Sequence, residues 1–123
     1  MKTHVHVSML VAFAGLAAAP AFAQFTGPST TTSPYVLPSS AGVTTTSILT
    51  VGDNIGGYRL VGIPDGMGAL EAANGTFDLF VNHELGANSG AVRAHGQTGA
   101  FVSRWNINAN SASLVVNTGR DHN

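Results

Sequence analysis

The chain has 123 residues, with five lysines and arginines against six aspartates and glutamates and a formal net charge of −1. So thin a positive charge excludes nucleic-acid binding, because no basic patch exists to displace counterions from a phosphate backbone. The absence of cysteine excludes disulfides, thiolate metal sites and a cysteine nucleophile within these residues.

At the N-terminus, Met1-Lys2-Thr3-His4 is a short polar start with one fixed positive charge. Residues 5–19 are then almost wholly apolar, Pro20 ends any helix, and Ala21-Phe22-Ala23 supplies the small-x-small pattern that signal peptidase requires. The apolar run falls short of the ~20 residues of a spanning helix. Residues 1–23 therefore read as a cleaved signal peptide, and the protein as exported to the periplasm or the medium with no membrane anchor in the mature chain. Loss of Lys2 leaves four arginines, too few for a polymer but enough for a small anion. Abundant Gly, Ser, Thr and Asn predict a turn-rich β protein.

Residues 24–46, with Pro28, Pro34 and Pro38 among Ser, Thr and Gly, form an extended leader without a helix, lying across a larger body. Residues 47–123 form the all-β segment. Ser47-Ile48-Leu49-Thr50-Val51 is a first strand candidate, Gly52-Asp53-Asn54 a turn, Gly56-Gly57 a bend, and residues 58–63 (YRLVGI) a second strand.

Asn74-Gly75 separates Met67-Gly68-Ala69-Leu70-Glu71 from residues 76–82 (TFDLFVN) and predicts a hairpin, since both turn residues tolerate the positive φ of a type I′ turn. In the second arm Phe77, Leu79 and Val81 share one face, and Asp78, Phe80 and Asn82 the other. Apolar residues on both faces predict cover on both sides.

Residues 89–99 form a glycine-rich loop. Residues 100–107 (AFVSRWNI) alternate again, placing Phe101, Ser103, Trp105 and Ile107 on one side, and residues 113–116 return the chain after a turn at 108–111. No segment after residue 23 has a helical period. The fold class is all-β, with antiparallel hairpins. Such a lean, incomplete sheet reads as the N-terminal part of a longer protein, the alternative being a complete small β domain.

Three places could carry chemistry. Asp65 sits in the glycine-framed bend Pro64-Asp65-Gly66-Met67-Gly68, where an Asx turn explains it as well as a ligand role does. Asn82-His83-Glu84 leaves the best-defined strand. Alternation puts Asn82 and Glu84 on one side, oxygen donors that suit Ca²⁺, and His83 on the other. Polar capping of a strand end is the equal alternative. Arg93-Ala94-His95-Gly96 offers a forked donor and an imidazole to a phosphate, or a structural hydrogen-bond hub.

Other motifs fail. Ala87 stands where a zinc-protease helix begun by His83-Glu84 needs its second histidine. Ser89 lies one place too late in Gly86-Ala87-Asn88-Ser89-Gly90 for a nucleophile elbow. Gly66-Met67-Gly68 lacks the third glycine of a dinucleotide site.

As a set, residues 58–68 (YRLVGIPDGMG), Asn74-Gly75-Thr76, Val81-Asn82-His83-Glu84, residues 92–96 (VRAHG) and residues 99–105 (GAFVSRW) resemble the N-terminal part of PhoX-type exported alkaline phosphatases and the broader phytase-like propeller proteins. The resemblance covers roughly half the chain. It implies a β-propeller, of which this all-β segment would be the first blade in an incomplete domain, with an axial site for Ca²⁺ and, in the phosphatases proper, iron. It makes Glu84 a metal ligand, with Asn82 and His83 supporting it and Asp65 a second candidate. Arg93 and His95 would face the phosphate. The cysteine that ligates iron in the PhoX-type enzymes has no counterpart here, which points to a ligand outside this sequence or to a calcium-only or non-catalytic branch.

The implied activity is metal-dependent hydrolysis of a small phosphate ester. The alternatives are a non-enzymatic secreted or surface β-propeller protein and a calcium-dependent lactone hydrolase.

Overall fold

A computed structural model describes residues 23–110, 112 and 114–123. Except for Ala23, the signal-peptide reading lies outside the described residues. Among those residues there are eight strands and no helix, as the lack of a 3.6-residue period predicts. They are β1 (Ala23–Thr26), β2 (Thr44–Ser47), β3 (Asn54–Ile55), β4 (Tyr58–Arg59), β5 (Pro64–Ala72), β6 (Thr76–His83), β7 (Phe101–Asn108) and β8 (Val116–Asp121).

The body is a four-stranded antiparallel sheet in the order β5-β6-β7-β8, a simple meander. Its first hairpin turns at Asn74 and Gly75, whose φ values are 60° and 68°, and the Thr76 N–H donates to Ala73 O at 3.3 Å. The ladder closes at Ala72 and Thr76, so the loop is one residue longer than a two-residue turn.

Alternation along β7 is strict: Phe101, Ser103, Trp105 and Ile107 are buried and the residues between them are half-exposed. Register places Val81 opposite Ser103, Leu79 opposite Trp105 and Phe77 opposite Ile107, all on the same face. The core is Leu60, Val81, Trp105, Ile107 and Val116, with Ile48, Leu49, Tyr58 and Leu79 packed against it. Burial of side chains such as Trp105 and Ile107, each 1% exposed, stabilises by roughly 1.5–3 kcal/mol apiece. The Trp105 ring also crosses β8, where a Cβ on Gly119 would lie 2.3 Å from it and 2.7 Å from the Tyr58 ring. Only glycine fits there.

The second face of β6 differs from the expectation of cover on both sides. Phe80 is only half-buried, with the His122 ring edge-on at 4.9 Å, and Asn82 is exposed. Asp78 is nevertheless buried, because Arg104 and Asn106 of the neighbouring strand fold over it. Side chains of the sheet itself cover the carboxylate, with no second layer required.

Three local expectations change. Residues 48–51 form no strand, because Asp53 accepts the Thr50 N–H at 2.6 Å and Gly52 donates to Leu60 O at 2.8 Å, curling the segment into a turn. Only Tyr58 and Arg59 of residues 58–63 pair as a strand, in a short hairpin with Asn54 and Ile55. The last strand runs from Val116 to Asp121 instead of ending at residue 116. Between its two ends the leader runs through turns and bends without a helix, and it is tied to the sheet where Ser29 Oγ accepts the Val116 N–H at 3.0 Å. Its ends add a parallel pair, β1 with β2, which the expectation of hairpins alone did not include.

Candidate functional site

The β5–β6 ladder breaks once. Pro64 pairs with His83 and Met67 with Val81, so Asp65 and Gly66 together oppose the single residue Asn82. A bulge of this kind bends its strand and re-aims a side chain. One step further, the Glu84 N–H donates to Ile63 O at 2.9 Å and prolongs the ladder. Asp65, Asn82 and Glu84 therefore gather at one end of the hairpin, and all three are exposed. None has a side-chain hydrogen bond or ion pair among the described residues. The end offers two carboxylates and one amide. No three His, Cys, Asp or Glu side chains among the described residues converge as a metal-holding group.

His83 turns the other way and is fully buried, 0% exposed. Its Nδ1 lies 2.8 Å from Val61 O and its Nε2 2.7 Å from Ser103 Oγ. Trp105 Nε1 donates to that same hydroxyl at 2.7 Å. For a neutral ring the donors order in one way: Trp105 N–H to Ser103 Oγ, Ser103 O–H to His83 Nε2, and His83 Nδ1–H to Val61 O. This fixes the neutral tautomer. Burial drives the imidazole pKa below its ordinary value, against the opposing pull of the Val61 carbonyl. With both nitrogens engaged, His83 supports the strand end from within the core and has no lone pair for a metal.

Phe101 stacks on the His83 ring at 4.2 Å with an interplanar angle of 5°. The Arg93 guanidinium lies over the other ring's face, 4.0 Å from the Phe101 centroid, and pairs with Asp121 at 3.5 Å. Asp121 also accepts the Tyr58 O–H at 2.5 Å and the Ala94 N–H at 2.8 Å. Burial alone would raise the Asp121 pKa, but the hydrogen bonds from Tyr58 and Ala94 and the Arg93 charge outweigh it and hold the carboxyl below its ordinary value. Burial, then the Asp121 partner, pushes the Tyr58 phenol well above its usual range. Tyr58 thus stays a neutral donor.

The expected pair of phosphate contacts is divided. Arg93, with its side chain 13% exposed, has an internal counter-ion in Asp121, while His95 stands exposed in the turn closed by the Gly96 N–H on Arg93 O. Sequence reasoning did not single out Ser103, Tyr58 or Asp121 for chemistry. Ser103 carried a signal, a lone hydroxyl on the apolar stripe Phe101-Trp105-Ile107, which implies a buried partner. Asp121 carried none, because its partners arrive from residues 58, 93 and 94.

Comparison with protein-family models, curated proteins and solved structures found no match.

Proposed function

We propose that this chain belongs to an exported, metal-dependent phosphoric-ester hydrolase, with sheet β5–β8 as one blade of a β-propeller. A four-stranded antiparallel meander is the unit from which such blades are built. The observation that carries the functional reading is the division of labour at the end of β6. Asp65, Asn82 and Glu84 leave free oxygens at the surface, while the imidazole between them is locked into the core. An oxygen-only donor set suits a hard cation and disfavours the transition metals that prefer nitrogen.

Calcium fits this set in chemistry, though three side chains supply only part of the roughly 6–8 oxygens that Ca²⁺ takes. Iron with a thiolate ligand does not fit a chain without cysteine. When bound, a divalent cation supplies Lewis-acid polarisation of a phosphoryl oxygen. Glu84 and Asp65 would bind with their carboxylates, and Asn82, opposite the bulge, would orient through its amide oxygen. Ser103 is excluded as nucleophile, since its hydroxyl is buried between two partners.

A non-catalytic surface protein with a stabilising calcium site is the second reading, favoured by the small number of carboxylates at this end. The test that separates them is hydrolysis of p-nitrophenyl phosphate at alkaline pH by the protein expressed from its complete reading frame. Activity abolished by chelator, restored by Ca²⁺ and lost in Glu84→Gln is the expected result. A folded, calcium-bound protein without activity would favour the second reading.

A further inference from the structure

On the sheet face opposite the core, β7 and β8 set Arg104 directly across from Arg120. Like charges directly opposite each other destabilise a sheet, and a counter-charge nearby offsets the repulsion. The nearest is Asp78, but its carboxylate is already engaged. Arg104 pairs with one oxygen and Asn106 Nδ2 bonds the other at 3.1 Å. The hydrogen bond from Arg104, then that from Asn106, hold the carboxyl below its ordinary pKa, so it stays ionised at neutral pH and aims the Arg104 guanidinium. Arg120 is exposed and has no ion pair or side-chain hydrogen bond among the described residues.

These groups line an open cleft of about 290 Å³ bounded by Asp78, Arg104, Asn106, Thr118 and Arg120. Arg120 brings a whole fork of N–H donors, Arg104 the donors left over from Asp78, and Thr118 a hydroxyl. One anchored guanidinium and one free guanidinium carry two positive charges against one carboxylate, leaving one uncompensated. We infer that this cleft is a binding site for a small tetrahedral oxyanion such as a phosphate group, held between Arg104 and Arg120 with Thr118 donating. Planar guanidinium forks match the oxygen spacing of such anions and bind them bidentately. The site is separate from Asp65, Asn82 and Glu84. Asp78 and Asn82 are four residues apart on β6, roughly 14 Å at the usual rise of a strand, so the inference does not rest on the proposed cation.

The experiment is calorimetric titration of inorganic phosphate into the purified protein in the presence of EDTA. Saturable binding is expected, weakened at least tenfold by Arg120→Gln, since each hydrogen bond to a charged group contributes enough for roughly that factor. Arg120 is exposed, so its replacement leaves the fold intact, and Glu84→Gln leaves phosphate binding unchanged. No saturable binding, or equal affinity in Arg120→Gln, would overturn the assignment. Binding that disappears with EDTA or in Glu84→Gln would overturn it too, by placing the anion on the cation.

Discussion

His83 Nε2 lies 2.7 Å from Ser103 Oγ, the spacing of a nucleophile and its base, yet both residues are 0% exposed. The hydroxyl receives the Trp105 indole proton, and the far imidazole nitrogen faces a backbone carbonyl and not a carboxylate. Two strands, an indole and the residue 61 backbone are thereby joined through one neutral chain of hydrogen bonds. The pair organises the core that carries the exposed residues on either side of His83.

Ser103→Ala leaves His83 Nε2 and Trp105 Nε1 without partners in the interior. The expected cost is about 1–3 kcal/mol, read as a lower urea midpoint with an unchanged slope. Hydrolysis lost without loss of stability would mark Ser103 as a nucleophile instead.

Stability should fall with acid in two windows. His83 has its pKa lowered in the folded state, so the unfolded chain binds the proton more tightly. Its contribution is complete above the ordinary value of 6.5 and is lost as the pH falls toward the folded value. Asp78 and Asp121 are also lowered, so theirs persists down to about the ordinary value of 3.8 and is lost below it. Urea midpoints measured from pH 8 to pH 3 should show both declines, and His83→Gln should remove the upper one.

Gly119→Ala drives a methyl group into the Trp105 and Tyr58 rings. Overpacking of this kind costs about 1–3 kcal/mol, and near-ultraviolet circular dichroism of the tryptophan should change with it. An unaltered midpoint would mean that the indole is free to move away.

The alternating stripe of β7 and the Asn-Gly hairpin were legible in the sequence because each is local: period two in one case, two residues that accept positive φ in the other. The opposed directions of Asn82, His83 and Glu84 followed from the same period. What could not be read was long-range. Asp65 meets Asn82 through a bulge that no local pattern signals, and Arg93 is neutralised by Asp121, 28 positions later. Residues 48–51 were misread because their apolar character suits a strand, whereas Asp53 bonding the Thr50 amide turned them into a loop that still reaches the core.

Asp121→Asn weakens the Arg93 ion pair and the bond from the Ala94 N–H that hold residues 93 and 94 against β8. Partial exposure keeps the expected loss to roughly 1–2 kcal/mol. Hydrogen exchange should show the Ala94 amide opening faster while the β6–β7 amides keep their protection. Uniform acceleration would mean that Asp121 supports the whole sheet.

Calcium binding at the end of β6 is the claim on which the functional account depends, and calorimetric titration of Ca²⁺ into the protein, Glu84→Gln and Asp65→Asn tests it most directly. Saturable binding that each substitution weakens by tenfold or more is the expected result, with the urea midpoint of the calcium-free protein unchanged because both side chains are exposed. Calcium affinity that is the same in all three proteins would contradict it.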